Sequence, residues 1–338
     1  MTPLPSSSLA SVAAALLEKN KGLLAADESF PTIEKRFHAL GIASTAENRR
    51  TYRDLLFTAP GISEFISGAI LFDETLRQQG RDGTPMPAVL SRRQIIPGIK
   101  VDRGTVPLPA FAEEKITEGL DGLRDRLAEY HELGARFTKW RAVIAIGEGR
   151  PSRTCLEANA RALALFAALS QEAGLLPLVE PEVLMDGAHD LARCADVTTE
   201  VLQIVFRTLE AHRVRLPEML LKTSMVLPGN KSPQPASATQ IAEATLQSLR
   251  QAVPAAVPGI VFLSGGQSPA EATERLAAIC RIGGAPWTLS FSFGRALQEN
   301  ALATWHESPA QMPAAQAALL ESARRNSIAL HGTASPTR

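Results

Sequence analysis

Short apolar runs alternate with longer amphipathic stretches along almost the whole chain. Eight of these runs predict strands: GLLAAD (22–27), GAILF (68–72), IIPGIKV (95–101), ARFTKWR (135–141), LLPLVEPE (175–182), MLLKTSM (219–225), GIVFLSGG (259–266) and WTLSFS (287–292). Each is bounded by turn residues and is apolar at consecutive positions, as expected for parallel strands buried on both faces. The stretches between them carry helix start signals. Ser44-x-x-Glu47, Thr154-x-x-Glu157 and Ser237-x-x-Gln240 fit the capping box, whose side chains satisfy free helix N–H groups. Ser268-Pro269-x-Glu271 adds a proline at the first helical position, where its missing N–H costs nothing.

Strand–helix units in series, with no linker rich in Pro, Gly or Ser, predict a (β/α)8 TIM barrel in the α/β class. A doubly wound open sheet is the rival. It would call for a Gly-rich phosphate loop after the first strand, and LAADESFPT has none. The expected organisation is one barrel domain over 1–338, with 1–20 as an N-terminal helical extension and 332–338 as a flexible C-terminal tail. A length of 338 residues is long for a single domain, but barrels reach it.

Composition narrows the function. Hydrophobic residues at 45% and charged residues at 21% are enough to fill one large core. Lys+Arg and Asp+Glu both number 35, so the chain lacks the basic excess of a nucleic-acid surface. No apolar run approaches the ~20 residues that span a bilayer. The opening MTPLPSSSLASVAAALLEKNKG lacks the layout of a secretory signal. Cys155, Cys194 and Cys280 are odd in number, widely spaced and without CxxC. That reads as reduced thiols of a cytoplasmic protein, and neither nucleic acid nor membrane is expected as a partner. The histidines show no HxxxH or HxH spacing, so no metal site is expected, and His189 reads as a helix-start or surface residue.

The charged residues change the picture most. Lys100 and Asp102, Lys139 and Arg141, and Glu180 and Glu182 are pairs two apart near strand ends, so each pair points to one side. Lys222 lies inside MLLKTSM and Asp27 closes the first predicted strand. Long charged side chains are rarely buried unless paired. A barrel builds its active site at the carboxyl ends of its strands, so this set predicts a catalytic cluster. Neighbouring cations and burial are expected to depress the pKa of a lysine within it, freeing a neutral amine. The last two strands run into Ser264-Gly265-Gly266 and Ser292-Phe293-Gly294-Arg295. Those loops are the usual phosphate site of barrels, with glycine amides and an arginine fork as donors.

Taken together, LAADES, AENRRTYRDLLFTAPG, AILFDETL, GIKVDRGTVPL, GLDGL, KWR, VEPEVLMDGAHDL, MLLK, PGIVFLSGGQS and SFGRALQ resemble the class I fructose-bisphosphate aldolases, from about Lys21 to His331. The resemblance implies a metal- and cofactor-free lyase of glycolysis and gluconeogenesis, usually a homotetramer. It would split fructose 1,6-bisphosphate reversibly into dihydroxyacetone phosphate and glyceraldehyde 3-phosphate. It further implies that Lys222 forms the imine, Glu180 is the general acid with Glu182 beside it, Lys139 and Arg141 position these groups, and Asp27 takes the C4 hydroxyl proton. Ser264, Gly265, Gly266, Ser292, Gly294 and Arg295, with Arg36 nearby, match the C1-phosphate site; Ser29, Thr32 and Lys100 match the distal one. The alternatives are a Schiff-base aldolase for another phosphorylated sugar and a barrel kept only for binding. The chain departs from the family at Pro217-Glu218 and Thr223-Ser224 around the lysine, and at Phe30-Pro31 where Thr-Gly is commoner. It also ends at Arg338 without the usual C-terminal tyrosine, from which slow proton transfer at C3 after cleavage is expected.

Overall fold

The computed structural model describes residues 8–333. Its strands are β1 (Gly22–Ala26), β2 (Ile66–Leu71), β3 (Ile96–Lys100), β4 (Thr105–Pro107), β5 (Lys115–Thr117), β6 (Phe137–Ile144), β7 (Leu176–Val183), β8 (Leu220–Thr223), β9 (Gly259–Phe262) and β10 (Thr288–Phe293). All but β4 and β5 close into a parallel barrel in the order β1-β2-β3-β6-β7-β8-β9-β10. The (β/α)8 architecture read from the apolar runs is therefore the fold.

The barrel interior is layered. Leu23, Ile70, Phe137, Leu176, Leu178, Leu220 and Val261 form a fully buried cluster inside it. Phe137 fits only because its neighbours on β2 and β3 include glycines: a Cβ on Gly98 would lie 2.2 Å from the phenyl Cζ. The helix Leu9–Leu16 packs Leu9, Val12, Ala13 and Leu16 onto the same cluster and closes the amino-terminal end of the barrel. Ser67 Oγ, at the start of β2, donates to Leu16 O at 2.6 Å and ties that helix down. The floor of the barrel is thus apolar, which leaves the carboxyl ends to carry the charges. Residues 1–7 of the expected extension and 334–338 of the expected tail lie outside the described residues.

Two of the expected caps hold. Ser237 and Ser268 cap the helices Ala238–Ala252 and Pro269–Ile282 with complete capping boxes. The other two are displaced. Thr45, not Ser44, accepts from Asn48 N, and Ser152, not Thr154, accepts from Cys155 N. In both, the neighbouring hydroxyl sits where the chain is still extended, so it meets the N3 amide.

An antiparallel hairpin, β4–β5, interrupts the simple alternation after β3. It is anchored to the barrel, since Thr117 Oγ1 donates to Arg141 O at 2.8 Å. Cys155, Cys194 and Cys280 are all unpaired thiols. Among the described residues no helix is long and apolar enough to cross a membrane.

Candidate active site

Strand register brings the charges together. Lys100 on β3 pairs with Lys139 on β6, and Arg141 on β6 pairs with Glu180 on β7. Because side chains alternate along a strand, Lys139 and Glu180 enter the barrel one layer above the apolar cluster. Lys222 enters beside them from β8. Lys222 Nζ lies 3.1 Å from Glu180 Oε1, and Lys139 Nζ lies 3.2 Å from Glu180 Oε2 and 2.8 Å from Asp27 Oδ2. All of these groups are nearly buried: Lys139, Glu180 and Lys222 are 3%, 2% and 4% exposed. Buried ions survive only when paired, and here two lysines share one glutamate while an aspartate balances the second.

The electrostatics differ from the expectation of a cation cluster that neutralises its own lysines. Burial does press the Lys139 pKa down, but Asp27, Glu180 and Asp102 more than offset this, and Lys139 is held well above its ordinary value as a permanent cation. Burial pushes the Asp27 carboxyl up, yet the charges of Lys139, Lys222 and Lys100 bring it down to about 2. The lysines are interleaved with carboxylates rather than massed.

A second ring of pairs surrounds the first. Arg141 Nε bonds Glu182 Oε2, and Lys100 Nζ bonds both the Asp102 carboxylate and, at 2.7 Å, its carbonyl. Asp102 in turn accepts from the backbone N–H of Gly104 and of Arg141, both at 3.1 Å. It therefore fixes the loop after β3 against β6.

The glycine loops close the rim. Gly265 and Gly266 have φ of +40° and +87°, a left-handed conformation that favours glycine. Their N–H groups make no backbone hydrogen bond among the described residues. A Cβ on Gly266 would lie 2.7 Å from Met185 Sδ, so a larger residue would also have to displace that side chain. Gly294 caps the helix Arg295–Trp305, whose amino end faces the same opening. Arg295 itself is exposed.

Every candidate catalytic and substrate-binding residue lines one cavity of about 1540 Å³: Asp27, Ser29, Thr32, Arg36, Lys100, Lys139, Arg141, Glu180, Glu182, Lys222, Ser264, Gly265, Gly266, Ser292, Gly294 and Arg295. Five buried polar atoms of its lining residues, Glu28 Oε2, Arg36 Nη2, Arg126 Nε, Glu180 Oε2 and Ser292 Oγ, have no hydrogen-bond partner. Buried polar groups are normally satisfied, so the wall of the cavity keeps hydrogen-bonding capacity that the protein itself does not use. The 3.2 Å approach of Lys139 to Glu180 Oε2 is an attraction of charges without hydrogen-bond geometry.

Sequence reasoning missed the support behind Arg36. Glu28 bridges Arg36 and Arg53, the latter at 2.7 Å, and Gln298 joins Arg36, Tyr52 and the carbonyl of Ala25. The available signal was Arg53, a charge inside the buried stripe of the helix Ala46–Thr58. His189 also differs from its reading as a simple surface or helix-start residue. It does precede the capping Asp190, but its ring nitrogens are buried without partners, and burial lowers its pKa. Among the described residues no group of three or more His, Cys, Asp or Glu is placed to hold a metal ion.

A parallel barrel thus holds, at the carboxyl ends of its strands, a buried lysine against a glutamate beneath glycine-rich loops, the layout of a barrel enzyme. The family model described as fructose-bisphosphate aldolase class-I matches residues 8–337, and the chain belongs to that family of metal-independent lyases. It is 51% identical over 325 residues to a probable class 1 fructose-bisphosphate aldolase of Xanthomonas campestris pv. campestris, covering 96% of this chain and 97% of that one. It is 50% identical over 313 residues to the cytosolic fructose-bisphosphate aldolase 6 of Arabidopsis thaliana, covering 92% and 87%. The fold superposes on the Plasmodium falciparum fructose-bisphosphate aldolase, solved with TRAP and a small-molecule inhibitor, with a TM-score of 0.96. That pair is 46% identical, covering 98% and 96% of the two chains.

Proposed function

We propose that Lys222 is the nucleophile that forms the imine with the C2 ketone of fructose 1,6-bisphosphate, and that Glu180 moves the protons of that step. The observation that carries this is the Glu180 carboxylate held between two lysine ammonium groups. An amine attacks a carbonyl only when neutral. Glu180 Oε1 is within reach to take the Lys222 proton, and the unpartnered Oε2 faces the cavity. Attack then gives a carbinolamine, whose hydroxyl leaves as water once Glu180 returns the proton. The protonated imine draws electrons from the C3–C4 bond, while Asp27, ionised at any working pH, accepts the C4 hydroxyl proton. Lys139 stays charged, holding Asp27 and Glu180 in place and stabilising negative charge as it develops. Arg141 holds Glu182 beside them.

The C1 phosphate is received by Ser264, Gly265, Gly266, Ser292, Gly294 and Arg295, with Arg36 Nη2 at its edge. The distal phosphate is received by Ser29, Thr32 and Lys100. Lys100 keeps its Asp102 partner until a phosphate draws it away, which guards against an unpaired charge in the empty site. Support for both assignments is that these donors line one cavity together with Lys222.

The protein is further proposed to be a cytoplasmic homotetramer. The cytosolic and cytoplasmic names of plant relatives support the compartment, and the usual assembly of the family supports the tetramer. A coupled cleavage assay with fructose 1,6-bisphosphate in the presence of a strong chelator tests the activity, with full turnover expected and none contradicting it. Light scattering tests the assembly, with four times the 36.2 kDa chain mass expected.

A further inference from the structure

Among the described residues Phe30 is one of four large apolar side chains left exposed, at 47%, and the one of these that lines the cavity. It is not loose there. Its ring meets the edge of Phe72 at 5.1 Å between centroids and an 80° interplanar angle. The Arg49 guanidinium lies 4.7 Å from the ring centroid. Arg49 is itself locked by a bidentate bond to Glu74, at 2.8 and 2.6 Å. One aromatic ring is thus gripped from the segment after β2 and from the helix Ala46–Thr58.

The residues on either side of this ring carry the hydroxyls. Ser29 is the N-cap of the helix Phe30–His38 but makes no side-chain cap bond; its Oγ lies 3.2 Å from Thr32 Oγ1. Two adjacent hydroxyls are therefore kept from the backbone and turned to each other. Pro31 between them has a fixed φ and no N–H to compete. The corner Ser29–Thr32 is held by the ring of Phe30 on one side and by proline stiffness on the other.

We propose that Phe30 is a positioning residue that sets specificity: clamped by Phe72 and Arg49, it presents the Ser29 and Thr32 hydroxyls already arranged for a phosphate at the far end of the sugar. This rests on the reading of Ser29, Thr32 and Lys100 as the distal-phosphate donors. A clamped corner loses little freedom on binding, so its advantage appears only for substrates that carry the second phosphate.

The test compares kcat/KM for fructose 1,6-bisphosphate and fructose 1-phosphate in wild type, Phe30→Ala, Phe72→Ala and Lys100→Ala. Freeing about one residue's backbone corresponds to roughly a tenfold loss. Phe30→Ala and Phe72→Ala should each lower the bisphosphate-to-monophosphate ratio by about that factor, through KM for the bisphosphate. Phe72→Ala should leave fructose 1-phosphate cleavage unchanged. Equal losses on both substrates mean a general structural role and overturn the proposal. A fall in the ratio with Lys100→Ala but not with either phenylalanine variant overturns the clamp and leaves the distal-phosphate reading standing. An unchanged ratio in Lys100→Ala sinks that reading, and the clamp with it.

Discussion

Lys222 Nζ lies 3.1 Å from Glu180 Oε1, an ion-pair distance. The same carboxylate faces Lys139 with its other oxygen, and Lys139 is held as a cation by Asp27. One glutamate therefore joins the proposed nucleophile to a lysine held as a cation. Strand position separates their roles, because β8 delivers Lys222 to one side of Glu180 and β6 delivers Lys139 to the other.

Glu180→Gln keeps the shape of this link and removes its proton. Loss of a positioned acid–base group typically costs about 10²–10⁴-fold. Steady-state kinetics should show kcat falling by that order with KM little changed. A fall of less than about tenfold would assign proton transfer to another group.

Lys139→Met leaves Asp27 without its nearest partner. Asp27 titrates at about 2 in the folded protein against an ordinary 3.8, so its stabilisation is present above the ordinary value and is lost as pH falls through 2. Lys139 is shifted the other way, so its contribution is whole below 10.5 and fades only at higher pH. Breaking a buried pair by removing one partner typically costs about 3–5 kcal/mol. Denaturation midpoints should show the variant weaker by a constant margin near neutrality, with the gap narrowing once Asp27 begins to protonate below 3.8. A gap that widens in acid would contradict the pairing.

Arg295→Ala removes an exposed guanidinium at the cavity rim. Because nothing buried depends on it, stability should move by less than about 0.5 kcal/mol. A hydrogen bond to a charged group contributes about 1.5–3 kcal/mol, so kcat/KM for fructose 1,6-bisphosphate should drop about 10- to 150-fold. A loss under about threefold would remove Arg295 from the phosphate site.

Much of the candidate site is legible in the sequence, because strands impose a two-residue period. Lys139 with Arg141 and Glu180 with Glu182 announce their shared side by spacing alone, and an apolar run such as MLLKTSM isolates Lys222. What the period cannot show is who faces whom. The raised pKa of Lys139 depends on Asp27, which arrives from β1, more than a hundred residues away in the chain. The Glu28 bridge to Arg36 and Arg53 joins three elements and has no local signature. The hairpin β4–β5 escaped because TVP and KIT are too short to establish a period. The Ser/Thr-x-x-Glu pattern selects Ser44 and Thr154, whereas the caps Thr45 and Ser152 have Asn48 and Cys155 at N3, so only backbone geometry reveals them.

The central claim is that Lys222 carries the substrate. Borohydride added to the enzyme with dihydroxyacetone phosphate reduces an imine to a stable secondary amine, and peptide mapping then locates it. The adduct should fall on Lys222, with activity lost in proportion to labelling. An adduct on Lys139 or Lys100, or inactivation without a covalent adduct, would contradict the account.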